Sequence, residues 1–101
     1  MNDEHLNIAH QIRVVDHLKA DLVEALASLF HGLLHADDEQ ILDSMAAMIL
    51  SNYLLARRLG VSLPELERQI QLKINEQKEK GNWVESHYQD FSILQEFLAR
   101  E

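Results

Sequence analysis

Cysteine is absent from the 101-residue chain, so disulfide frameworks, thiolate chemistry and Cys-based zinc sites are excluded at once. Proline occurs once, at Pro64, and glycine three times, at Gly32, Gly60 and Gly81, too few breakers and turn formers for a protein of hairpins and short strands. Cations are outnumbered, with 9 Lys and Arg against 17 Asp and Glu and a net charge of −8. Such a balance opposes binding to a polyanion, whose affinity comes from clustered cations neutralising phosphates, and nucleic acid is not expected as a partner. No apolar run is long enough to span a bilayer, and the start, Met1-Asn2-Asp3-Glu4, lacks the basic flank and apolar core of a secretory leader. The expectation is a soluble cytoplasmic protein with no membrane partner. At this length the chain reads as one domain, residues 1–101, small enough that association would add to its stability.

What is present is helical periodicity. Ile8, Ile12, Val15, Leu18, Leu22, Leu26, Leu29 and Leu33 follow in steps of three and four, which winds one apolar stripe along a helix over roughly residues 4–34. Val14-Val15-Asp16 is the point where that helix would break, and the spacing favours continuity. Asp37-Asp38-Glu39-Gln40 has the Asp-x-x-Gln form related to a capping box and sets acidic charge at the positive end of a second helix. Between Ile41 and Ala56 the only charge is Asp43, and apolar residues cover most of the circumference. A helix of that kind must be surrounded, so it is expected to sit centrally and to meet a second subunit. Gly60 stops it, and Ser62-Leu63-Pro64-Glu65 caps and starts a third helix through Leu66, Ile70 and Ile74. No basic recognition face follows that turn, so it is not of the DNA-binding kind. After a loop holding Trp83, a short amphipathic helix around Phe91, Leu94 and Leu98 closes the chain. The expected architecture is an all-α bundle of about four helices.

Ile41-Leu42-Asp43-Ser44-Met45-Ala46-Ala47-Met48-Ile49, continuing through Arg57-Arg58-Leu59-Gly60-Val61-Ser62-Leu63-Pro64 to Lys73-Ile74-Asn75, resembles the MazG-like all-α nucleoside triphosphate pyrophosphohydrolases, over roughly residues 18–98. Members pair an E-E-x-x-E motif on one helix with E-x-x-D on the next. Carboxylates one helical turn apart suit Mg²⁺, a hard ion that takes oxygen ligands and lets substrate phosphates complete its shell. Counted back from Arg58-Leu59-Gly60, the second motif falls on Ser44 and Ala47, with Asp43 immediately before it. The first falls on Glu24, Ala25 and Ser28. What the resemblance implies is therefore a divergent nucleotide pyrophosphohydrolase that cleaves a nucleoside triphosphate to monophosphate and pyrophosphate. Glu24 and Asp43 would hold Mg²⁺, Lys73 and Asn75 would touch phosphate, and the chain would assemble as a homodimer or tetramer. The missing acids leave a second expectation open, a non-catalytic oligomeric protein that binds without hydrolysing.

Other residues carry paired readings. His10, His17, Glu24 and His31 recur every seven residues, with Asp21, Ser28 and His35 alongside, giving one polar stripe opposite the leucines. His31 and His35, one turn apart, either join Glu24 as a transition-metal site or belong to a solvated face. Arg57 and Arg58 either bind phosphate or compensate a helix C-terminus. Trp83, Tyr88 and Phe91 either stack on a base or supply aromatic core. Asp43 alone on an apolar helix calls for a cation or for the stabilisation that a first helical turn gives an anion.

Overall fold

The computed structural model describes residues 3–81 and 83–100. Met1 and Asn2 lie outside the described residues, as does the side chain of Ile8 from the apolar stripe. Among the described residues there are five helices and no strand: α1 (Asp3–His35), α2 (Asp38–Arg58), α3 (Leu63–Glu79), α4 (Trp83–Tyr88) and α5 (Asp90–Leu98). They fall into two compact units, residues 1–63 and 64–101.

The first unit is a hairpin of α1 and α2. Helix α1 runs unbroken through Val14-Val15-Asp16, and Asp16 accepts from Lys19 Nζ at 3.4 Å on the helix surface. The turn into α2 is two residues long. Ala36 adopts φ 53°, and the N–H groups of Ala36 and Asp37 return to the carbonyls of Leu33 (3.4 Å) and Gly32 (2.9 Å), the double closure of a Schellman motif. Asp37 then caps α2, its Oδ1 accepting from the Gln40 N–H at 3.1 Å. The reciprocal half of a capping box is missing for a physical reason. Asp37's own N–H is already taken by Gly32, so the Gln40 side chain turns to α1 instead.

The seam between α1 and α2 is made of small residues. Ala25 and Gly32 are buried on α1, and Ser44, Ser51 and Ala56 on α2, with Leu18 the one large side chain among them. A Cβ on Gly32 would stand 3.1 Å from Ile41 Cγ1 and 3.2 Å from the Ile41 backbone nitrogen, so the close approach of the helices depends on this glycine. Helix α2 ends in a second Schellman closure, with Gly60 (φ 83°) donating to Arg57 O at 3.3 Å and Val61 to Ala56 O at 2.8 Å. The expectation that α2 be surrounded is not met within one chain. Leu42, Met45, Ile49, Leu50 and Leu54 all stay exposed.

In the second unit Gln95 of α5 is the hub. Its Oε1 accepts from Lys78 Nζ at 3.0 Å and its Nε2 donates to Asn75 Oδ1 at 2.9 Å, both on α3. The segment expected as a loop around Trp83 is helix α4, separated from α5 by Gln89 in the left-handed region at φ 58°. Trp83 packs edge-on against both His87 and Tyr88, with ring centroids 5.8 Å apart in each case, and this local cluster favours the helical turn. Trp83 and Tyr88 are exposed, and Phe91 is half-buried.

Candidate functional site

Residues immediately before the seam residues lie about 100° around each helix from them, and because α1 and α2 run antiparallel the two displaced rows share one flank of the hairpin. Glu24 precedes Ala25 and Asp43 precedes Ser44. The structure accordingly brings Glu24 and Asp43 to the same open groove of about 360 Å³, floored by Ala25, Ser28, Ser44 and Ala47. Asp21, one turn before Glu24, lines it as well. Sequence reasoning put Asp21 on the polar stripe without assigning it to the site. The three-residue step to Glu24 was the available signal.

Four positions where family carboxylates would stand are occupied otherwise. Ala25 and Ala47 offer no ligand atom. Ser28 and Ser44 are joined to each other across the seam, Ser44 Oγ donating to Ser28 Oγ at 2.9 Å. Gln40 Nε2 adds donations to Ser28 Oγ at 3.2 Å and to the Ser28 carbonyl at 3.0 Å. Ser44 is 2% exposed, so its hydroxyl needs an internal partner, and Ser28 supplies one. The network converts positions suited to metal ligands into a neutral strap between helices.

Asp43 is exposed and escapes the desolvation cost that a buried lone carboxylate would carry. It is the sixth residue of α2, beyond the first turn, so the helix terminus does not account for it. Glu24 is likewise exposed, and Asp21 lies 3.6 Å from His17 Nε2. Among the described residues no three His, Asp or Glu side chains converge as a metal-holding group. The pair Glu24 and Asp43 is compatible with Mg²⁺ in the way that ion is commonly held, by one or two protein oxygens with water and substrate phosphate making up the shell. It does not form an all-protein cage.

His35 Nδ1 donates to the His31 carbonyl at 2.9 Å, which ties the His35 ring to its own helix. Lys73 and Asn75 both belong to the second unit, on α3, two residues apart. Lys73 is exposed, while Gln95 engages Asn75 through Oδ1 and not through the Nδ2 donors, the atoms that suit phosphate. Arg57 and Arg58 stand in the last turn of α2.

An all-helical chain with an acidic groove on a two-helix hairpin has the outline of the nucleotide pyrophosphohydrolase-like α proteins. The model of the MazG-like family matches residues 8–91, and the chain belongs to that family. No curated protein and no solved structure matches it. No described helix is long and apolar enough to cross a membrane.

Proposed function

We propose that the chain is a divergent MazG-like nucleotide pyrophosphohydrolase whose acidic groove receives a nucleoside triphosphate as its Mg²⁺ complex. The observation that carries this is the meeting of Glu24 and Asp43, the two acids that survive at or beside family motif positions, in one solvent-open groove. Glu24 and Asp43 would hold the ion, with Asp21 beside them in the lining of the groove. When bound, Mg²⁺ neutralises charge on the phosphates and lowers the pKa of water. By the family resemblance Lys73 and Asn75, on the second unit, also bind phosphate, and the activity belongs in the cytoplasm with the nucleoside triphosphate pool.

The strap of Ser28, Ser44 and Gln40 favours a second reading, in which the groove binds the Mg²⁺–triphosphate complex and releases it uncleaved. Pyrophosphate release from a panel of nucleoside triphosphates with Mg²⁺ or Mn²⁺ separates the two. For the enzyme, Glu24→Gln and Asp43→Asn each lower turnover on the order of 100-fold, and Lys73→Ala raises KM about tenfold through loss of a charge-assisted hydrogen bond. No release from any nucleotide by a folded chain rules out catalysis and leaves the binding reading.

A further inference from the structure

The polar stripe of α1 changes sign along its length. Toward the turn it carries Asp21 and Glu24 into the acidic groove, and toward the N-terminus it carries His10, Arg13 and His17. Steps of three and four set these three on one face of the helix. With Val14 and Leu18 they line an open concavity of about 380 Å³, which no Asp or Glu among the described residues borders. Buried Leu18 and half-buried Val14 are the apolar part of its lining, while His10, Arg13 and His17 are exposed.

Cations are scarce in this half of the chain, which makes their placement informative. Arg13 and Lys19 are the only Lys or Arg before Arg57. Of the carboxylates within a turn or so of this face, Asp16 is engaged by Lys19 at 3.4 Å and Asp21 stands 3.6 Å from His17 Nε2. Among the described residues none pairs with Arg13. Helix α2 adds charge of the same sign. Counting outward in equal steps from the Ser28–Ser44 contact brings Arg57 level with Val15 and Arg58 level with Val14. The hairpin therefore gathers Arg13, Arg57 and Arg58 at one end and Asp37, Asp38 and Glu39 at the other. A concavity bordered by one sign of charge concentrates ions of the other, so the local field governs what binds there more than the net charge of −8 does.

The spacing selects the anion. His10 and His17 stand about two turns apart, roughly 10.5 Å along the axis, with Arg13 between them. A single oxyanion is too short to meet all three, whereas linked phosphoryl groups present acceptor oxygens at each turn. Arg13 suits the middle position because a guanidinium donates in pairs to phosphate oxygens, and each imidazole donates through a ring N–H. The positive charge comes from the chain itself, so this site needs no metal, in contrast to the acidic groove.

We infer that the His10–Arg13–His17 face is a metal-independent binding site for a phosphate chain of two or more linked groups. It meets the acidic groove at the His17–Asp21 pair, and it stands whether or not that groove hydrolyses anything. The test is calorimetric titration of inorganic pyrophosphate into the full chain in metal-free buffer. A single pyrophosphate per chain is expected, with inorganic phosphate weaker by about tenfold or more. Arg13→Ala is expected to weaken pyrophosphate about tenfold or more through loss of a charge-assisted pair, and His10→Ala and His17→Ala about threefold each. Lys80→Ala, which removes an exposed cation of the second unit, should leave the affinity unchanged. A nucleoside diphosphate that binds as tightly as pyrophosphate identifies a nucleotide tail as the ligand, and one that binds more weakly identifies an inorganic chain. In the native chain pyrophosphate should move the imidazole resonances of His10 and His17 and leave those of His31 and His35 in place, a readout that needs no folded variant. Absence of pyrophosphate binding, equal affinity for phosphate and pyrophosphate, or equal losses from Arg13→Ala and Lys80→Ala overturns the proposal.

Discussion

Ser28 and Ala47 differ in what their replacement by an acid would disturb. Ser28 Oγ accepts from both Ser44 and Gln40, so a carboxylate there disturbs two hydrogen bonds of the strap before it meets any ion. Ala47 lines the groove, half-buried, without a polar partner to lose. Ala47→Asp would add a third carboxylate beside Glu24 and Asp43 with the seam intact, and it is expected to tighten Mg²⁺ about tenfold, ~1.4 kcal/mol, measured by titrating the ion against bound nucleotide. Unchanged affinity would mean that Glu24 and Asp43 do not hold the ion. At this scale the candidate site was half legible. That Glu24 and Asp43 belong together as candidates could be read because motif register is local and survives in sequence, and both line one groove. The hydrogen bonds of Ser28 could not, because they span 12 and 16 residues and no periodicity links a serine to a glutamine on the next helix.

The helices themselves were readable nearly to their ends, since apolar steps of three and four and the stop at Gly60 are written in contiguous residues. Helix α4 was missed because a six-residue helix contains too few turns to show a period, and what favours it is ring packing between Trp83, His87 and Tyr88. The two Schellman turns differ in one respect that matters for stability. Gly60 at φ 83° is unstrained, and Ala36 at φ 53° carries a Cβ in the left-handed region. Gly60→Ala is therefore expected to destabilise by about 1–2 kcal/mol, although a Cβ there meets no atom within 4 Å, because the penalty lies in the backbone. Ala36→Gly should stabilise by about 1 kcal/mol less the entropy that glycine loses on folding. Urea denaturation of both variants at one protein concentration checks the pair, and opposite signs are the expected outcome.

For the molecule as a whole, the α1–α2 hairpin explains why so hydrophobic an α2 stands beside a seam of alanine, glycine and serine. Small residues bring α1 and α2 close enough for Ser28, Ser44 and Gln40 to join, and that closeness turns larger residues outward, Leu42, Met45 and Ile49 exposed on the surface and Leu50 at the groove. The sequence led to the expectation that α2 meets neighbours beyond α1. It could not show which residues face outward, because that follows from the rotation of each helix about its axis, fixed by Gly32 against Ile41 and by the serine contact. The acidic flank is the place proposed for a cation that would bring a triphosphate to a protein of net charge −8. The most direct test is calorimetric binding of a slowly hydrolysed nucleoside triphosphate analogue to the native chain with and without Mg²⁺, beside Glu24→Gln and Asp43→Asn. Binding that requires Mg²⁺ and weakens at least tenfold in both variants, ~1.4 kcal/mol, is the expected result. Binding indifferent to Mg²⁺ and to both substitutions would contradict the assignment of this groove.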